Sequence, residues 1–189
     1  MKTIYLSRHG ESIYNTLGKI GGNSDLSEKG IEYSKKLAEY INNLDNKIPV
    51  YTSTLTRTIN TGKYINNNKI NCSNLNEINA GICEHLTYSE IKDKYPEEYS
   101  KRQFDKLNYK YPNGESYKDL IIRTKPIIDI INNNEIILII AHQAVLRVIY
   151  GILTNKNEID FPNIPIPLHT LITLNTDKNT LIEKTIKLI

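Results

Sequence analysis

Two rhythms of apolar and polar residues alternate along this chain. Short runs rich in β-branched or apolar residues, at 3–7, 49–53, 69–72 and 136–140, predict strands. Between them, apolar residues recur every three or four positions, which predicts helices. One such stretch covers 28–44, behind the N-cap types Asp25 and Ser27, with Leu37, Ala38, Ile41 and Leu44 on one face. A second covers 56–66 and ends in an asparagine tract. Thr87-Tyr88-Ser89-Glu90 has capping-box spacing and opens a short helix, and Pro96 starts another that runs toward Lys106. Over 115–133, Leu120, Ile121, Thr124, Ile127, Ile128 and Ile131 share an inward face, and Pro126 is expected to kink that helix. A last helix is predicted at 144–153, followed by strands at 168–174 and 180–188 with a turn at 175–179.

Strands that alternate with helices imply an α/β fold. The expected form is three-layered and doubly wound, a mostly parallel sheet with helices on both faces. Ile136-Ile137-Leu138-Ile139-Ile140 has no polar member, as a central strand covered on both sides requires. No linker, composition break or repeat divides the chain, so a single domain over 1–189 is expected. The segment 80–117 is too long for a simple crossover and is read as an insertion that caps the site.

Composition narrows the class. With 39% hydrophobic and 24% charged residues, the 189-residue chain has the makeup of a globular domain. No apolar run approaches a membrane span, and Met1 to Tyr5 pass into a strand pattern with no leader-like segment. Two cysteines, Cys72 and Cys83, make neither a disulfide framework nor a metal-ligand set. These features lead to the expectation of a cytoplasmic protein with no membrane partner. A net charge of +3 suits an anionic small substrate without requiring nucleic acid. The asparagine tracts at 42–43, 66–68 and 132–134 fall where helices should stop.

Chemistry concentrates at strand ends. Leu6-Ser7-Arg8-His9-Gly10-Glu11-Ser12 follows the first strand and sets an arginine beside a histidine at the sheet edge where α/β folds bind ligands. A neutral histidine there can attack phosphorus, and an arginine can hold phosphoryl oxygens in a bidentate fork. By itself Arg-His-Gly is a weak motif. Its partners decide the reading: phosphoryl transfer needs donors around the equatorial oxygens and an acid at the leaving oxygen. Arg57 follows the second strand near a helix start, and His142 directly follows the core strand. Glu77 lies in a loop after the third strand, where a neighbouring phosphate would favour its protonated form and fit it as a general acid. Taken singly, Arg57 reads as a surface helix arginine, Glu77 as a solvated loop residue and His142 as a structural histidine. The stretch Arg102, Lys106, Tyr109, Lys110, Tyr111 and Tyr117 is basic with aromatics between, which suits nucleic-acid stacking, a solvated face or a second phosphate. The four histidines, His9, His85, His142 and His169, show no metal-ligand spacing, and no Gly-rich kinase-type phosphate loop occurs.

Arg8-His9-Gly10-Glu11-Ser12, followed in order by Arg57, Glu77 and His142, resembles the histidine phosphatase superfamily, with its phosphoglycerate-mutase-like fold. Further motifs are similar to the bisphosphatase half of the 6-phosphofructo-2-kinase/fructose-2,6-bisphosphatase family. They include Gly21-Gly22, Leu75-Asn76-Glu77-Ile78, Tyr95-Pro96-Glu97-Glu98-Tyr99, Tyr111-Pro112-Asn113-Gly114-Glu115-Ser116-Tyr117, His142-Gln143-Ala144-Val145-Leu146-Arg147 and Pro167-Leu168-His169-Thr170. The resemblance implies a phosphohistidine nucleophile at His9 and a proton donor at Glu77, with Arg8, Arg57 and His142 stabilising the transferring phosphoryl group. It implies Asn15 at the 2-phosphate, Gly21 at the sugar, and Tyr88, Arg102, Lys106, Tyr117, Gln143 and Arg147 at the 6-phosphate end, with no cofactor and no metal. On this reading the partner is a phosphorylated sugar, and the basic stretch serves a second phosphate. The implied activity is removal of the 2-phosphate of fructose 2,6-bisphosphate without its synthesis, since the kinase half has no counterpart in these residues. Within the same fold, a phosphoglycerate mutase or broad phosphatase is the alternative. A catalytically silent sugar-phosphate-binding module is the alternative of another class. The chain departs from the family at Asn79, usually aspartate, at Tyr51, usually tryptophan, and at Ala141, usually cysteine. The resemblance says nothing of oligomeric state.

Overall fold

A computed structural model describes residues 2–44, 47–177 and 180–189. In chain order the elements are β1 (Lys2–Arg8), α1 (Ile13–Thr16), α2 (Glu28–Asn42), β2 (Val50–Thr52), α3 (Thr56–Thr61), β3 (Lys69–Asn71), α4 (Tyr88–Lys94), α5 (Pro96–Phe104), α6 (Tyr117–Asn132), β4 (Ile136–Ala141), α7 (Gln143–Leu153), β5 (Thr170–Asp177) and β6 (Thr180–Lys187). The strands form one sheet in the order β3-β2-β4-β1-β5-β6. The first four in that order run parallel to one another, while β5 pairs antiparallel with both β1 and β6. The sheet is therefore mostly parallel, as expected, with an antiparallel edge.

The central strand explains the layers. Ile137, Ile139 and Ala141 of β4 pack on one face with Leu120, Ile127 and Ile131 of α6 and Val145 and Ile149 of α7. Leu138 and Ile140 point to the other face, against Tyr33, Leu37, Ala38 and Ile41 of α2. Alternate side chains of one strand thus enter two cores, which is why the run contains no polar residue. Each fully buried Leu or Ile contributes about 1.5–3 kcal/mol over its exposed state.

Local chemistry sets the helix boundaries. Ser27 caps α2 by accepting the Gly30 amide, so Ser27 rather than Asp25 is the cap. Thr87 and Glu90 form the predicted capping box at α4, and Ser116 and Asp119 form another at α6. Elements differ from the sequence expectation mainly at their ends. α2 stops at Asn42, so Leu44 lies beyond it and is exposed. α3 ends at Thr61 where 56–66 was expected, and α6 begins at Tyr117. β5 starts at Thr170, and part of the predicted 175–179 turn lies outside the described residues. The four-residue α1 was not predicted; a single turn is too short to show a helical period. Pro126 sits inside α6.

The 80–117 segment carries α4 and α5 and has a small core of its own, with Ala80, Cys83, Ile91 and Tyr111 buried together. Among the described residues no helix is long and apolar enough to cross a membrane.

Candidate active site

The parallel pairing of β1 with β4 brings Arg8 opposite Ala141, and the His9 amide donates to the Ala141 carbonyl at 2.9 Å. His9 and His142 therefore leave adjacent strands side by side, with ring centroids 5.1 Å apart. The chain can turn there because Gly10 lies against Gly30 of α2. A Cβ on Gly10 would fall 2.6 Å from the Gly30 carbonyl oxygen, so any larger residue would push α2 away. The Gly10 amide is held by Thr61 Oγ1 at 2.9 Å.

His9 is 3% exposed and its Nδ1 lies 2.7 Å from the Gly10 carbonyl oxygen. A carbonyl only accepts, so Nδ1 carries the proton and the Nε2 lone pair has no partner among the described residues. Burial first, then the positive charges of Arg8 and Arg57, holds the imidazole well below its ordinary value. The ring is neutral near pH 7, as a nucleophile must be.

His142 is fully buried. Arg57 Nε donates to its Nδ1 at 3.2 Å, so the proton sits on Nε2, which donates to Ser53 Oγ at 2.8 Å. Ser53 Oγ also accepts the Leu55 amide at 3.0 Å and reaches Thr58 Oγ1 at 2.6 Å. Burial and the charge of Arg57 hold His142 well below its ordinary value. A neutral His142 is thus the acceptor that aims Arg57. Arg57, 4% exposed, is fixed at its other end by Nη1 donating to the Gly22 carbonyl at 2.7 Å.

Arg8 completes an anion-receptive floor. Its Nε is buried with no hydrogen-bond partner, an orphaned donor that an anion can satisfy. Burial lowers its pKa to about 10, partly opposed by Glu77, so it stays charged at neutral pH. Glu77 Oε1 accepts from the amides of Ile78 at 3.0 Å and Ala144 at 3.2 Å, which ties the loop carboxyl to the first turn of α7. Asn79 makes no hydrogen bond to this carboxyl. It is exposed, and its Oδ1 accepts the Gly81 amide at 2.8 Å.

These groups open into one pocket of about 120 Å³. Its lining brings together Arg8, His9, Asn15, Gly21, Arg57, Glu77, Tyr88, Arg102, Tyr117, Gln143 and Arg147. Asn15 Oδ1 is occupied by the Ser12 amide and hydroxyl, both at 3.0 Å, so its NH2 is left to donate. Gly21 has φ +68°, and a Cβ there would strike the Glu84 carboxylate, which also accepts from Gly22. From the insertion, the Arg102 guanidinium lies over the rings of Tyr88 and Tyr111, 5.3 and 5.6 Å from their centroids. Arg147 Nη1 donates to the Tyr117 hydroxyl at 3.1 Å. Burial lifts the phenols of Tyr111 and Tyr117, so both remain protonated donors.

Two predicted residues lie elsewhere. His142 stands behind Arg57 rather than in the lining, and Lys106 faces Asn163 Oδ1 at 3.5 Å in a neighbouring depression formed with Phe104 and Ile159. Sequence reading missed Tyr14 and Lys19 as lining residues, and named Tyr111 only as part of the basic stretch. Arg8, Lys19, Arg57, Arg102 and Arg147 face a single carboxylate, Glu77, so the pocket is strongly cationic. Among the described residues no group of three or more His, Cys, Asp or Glu side chains could hold a metal.

Residues 4–187 match the family model of the histidine phosphatase superfamily, branch 1. The chain belongs to the histidine phosphatase superfamily. It is 48% identical over 175 residues to a fructose-2,6-bisphosphatase of Saccharomyces cerevisiae, covering 92% of this chain and 39% of that protein. It is 45% identical over 174 residues to 6-phosphofructo-2-kinase/fructose-2,6-bisphosphatase 3 of Rattus norvegicus, covering 92% of this chain and 31% of that protein. The chain thus spans well under half the length of these relatives. Among solved structures, a putative α-ribazole-5'-phosphate phosphatase of Escherichia coli superposes with TM-score 0.88 at 20% identity, covering 98% of this chain and 96% of that one. That likeness bears on the fold alone.

Proposed function

We propose that this histidine phosphatase hydrolyses the 2-phosphate of fructose 2,6-bisphosphate. The observation that carries the reading is the union, in one pocket, of a neutral His9 facing Arg8 and Arg57 with a second set of cations, Arg102 and Arg147, one of them from the insertion. A substrate with one phosphate would leave the second set without a charge partner. The insertion at 80–117 is read as the cap of a single domain.

In the first step His9 Nε2 attacks the 2-phosphorus while the P–O2 bond breaks, and Glu77 gives its proton to the departing sugar oxygen. Arg8 and Arg57 hold the equatorial oxygens, where charge spreads in the transition state, and His142 keeps Arg57 aimed. In the second step water attacks the phosphorus, the N–P bond breaks, and the water proton passes to the Glu77 carboxylate. Phosphate leaves and the starting protonation is restored. Asn15 donates to the 2-phosphate and Gly21 lies along the sugar. Tyr88, Arg102, Tyr117, Gln143 and Arg147 take the 6-phosphate end. The sugar phosphate is the partner, in a cytoplasmic setting where it would serve control of glycolysis.

The test is turnover of fructose 2,6-bisphosphate, read as fructose 6-phosphate release in chelator-containing buffer, with quenching in alkaline detergent to trap enzyme labelled from the 2-phosphate. The expected result is turnover with an acid-labile, base-stable label that is absent in His9→Ala. No turnover of the bisphosphate, with ready turnover of phosphoglycerates, would overturn the substrate reading.

A further inference from the structure

Glu77 sits in a loop, yet an acid must be held to a fraction of an ångström. Besides the Ile78 and Ala144 amides at its carboxyl, two neighbours outside the His9 pocket hold the backbone around it. Arg123 of α6 forms a two-pronged pair with Glu115, Nε to Oε1 at 2.8 Å and Nη2 to Oε2 at 3.0 Å. The same guanidinium donates to the Asn74 carbonyl at 2.9 Å and, at 3.4 Å, to the carbonyls of Ser73 and Glu77 itself. Glu115 in turn accepts the Asn79 amide at 2.9 Å, and its own amide donates to the Asn79 carbonyl at 2.9 Å. The loop from 73 to 79 is thus gripped on both sides of Glu77 by one ion pair. Both side chains are about one-fifth exposed, at 21% and 22%. Neither lines the pocket with His9; they line an adjoining depression that shares Glu77 with it.

We infer that Arg123 and Glu115 are positioning residues for the general acid. The inference rests on the reading of Glu77 as proton donor. A planar, bidentate guanidinium fixes direction as well as distance, which a lysine cannot do. Loss of the pair leaves His9, Arg8 and Arg57 in place but lets the Glu77 carboxyl drift from the leaving oxygen.

The test uses two aryl phosphates. Phenyl phosphate has a leaving group that needs a proton, and 4-nitrophenyl phosphate has one that does not. Glu77→Gln calibrates the assay: its kcat/KM, which reports the first step alone, should fall about 100-fold on phenyl phosphate and little on 4-nitrophenyl phosphate, whereas kcat falls on both because Glu77 also serves the shared second step. Arg123→Met should lower kcat/KM on phenyl phosphate about tenfold or more, and kcat/KM on 4-nitrophenyl phosphate by no more than about twofold. Glu115→Gln, a milder change, should show the same selectivity to a smaller degree, and it carries the test should Arg123→Met not fold. In the Glu77→Gln background Arg123→Met should add no further loss on phenyl phosphate. Equal losses on both substrates, no loss on either, or an additive double variant would overturn the inference. If Glu77→Gln lacks selectivity, the acid assignment fails in that variant and the inference falls with it. Failure of fructose 2,6-bisphosphate alone to turn over overturns only the substrate reading, since the aryl series is read without it.

Discussion

The sheet edge and the insertion supply the pocket by different means. At the edge, His9, Arg57 and His142 are almost wholly buried, and each is tied by a named hydrogen bond to backbone or to another buried side chain. Across the pocket, Arg102 is held by lying over two tyrosine rings, on a short helix that buries none of its residues. On the proposed reading, chemistry rests on residues fixed at strand ends between two cores, whereas one of the recognition cations, Arg102, rests on a lightly anchored cap. Groups that must be neutral or aimed gain from burial; groups that only attract a phosphate do not need it.

Arg57→Ala should break this division most severely. It removes a charge from the floor and leaves His142 Nδ1 and the Gly22 carbonyl without their donor. Turnover should fall about 10²–10³-fold, equally for fructose 2,6-bisphosphate and for 4-nitrophenyl phosphate. A loss confined to the bisphosphate would place Arg57 in recognition instead. Arg102→Ala is the counterpart: KM for the bisphosphate should rise roughly 10- to 100-fold, the equivalent of one charge-assisted contact, with 4-nitrophenyl phosphate unaffected. A fall in kcat on both substrates would show that the cap shapes the chemistry as well.

Acid should also separate the regions. His9 and His142 are held well below the ordinary histidine value, so between that folded value and about 6.5 the unfolded chain binds protons that the folded chain does not. Stability is thus fully present above about pH 6.5 and falls as pH drops below it, by up to ~1.4 kcal/mol per pH unit for each group. Melting curves between pH 7 and 5 should show this decline, and His142→Gln should flatten it. An unchanged slope would mean that the second histidine is not buried neutral in solution.

The two regions were unequally legible in the sequence. His9 and His142 could be found because each directly follows a run that reads as a buried strand, and strand ends have only one place to go in a parallel sheet. Arg57 and Glu77 gained meaning from the family resemblance, since a helix arginine and a loop glutamate carry no signal of their own. The ring behind Arg57 could not be read: strand geometry puts His142 at the edge, but only the Ser53 and Arg57 bonds turn it away from the pocket. Tyr14 and Lys19 were missed because they lie on and just past a one-turn helix that leaves no periodic trace. Glu115 and Arg123 were missed for another reason, because their pairing spans a helix start and neither faces the substrate.

Lys106 gives the smallest expected effect and the finest test of the contrast. The resemblance assigns it to the 6-phosphate, yet its ammonium lies 3.5 Å from Asn163 Oδ1, in a depression that Phe104 also lines. It follows α5, past the point where helix geometry sets direction, so spacing cannot say which depression its long stem enters. Lys106→Ala should therefore raise KM for the bisphosphate by no more than about threefold, the size of a screened surface charge effect, and less than Arg102→Ala does. The residual effect should vanish at high salt, because an exposed ammonium acts on the pocket only through the field it adds. A loss equal to that of Arg102→Ala, and insensitive to salt, would show the lysine swinging into the pocket to grip the phosphate directly. The cap would then have two working cations, and its light anchoring would be what lets the second one move.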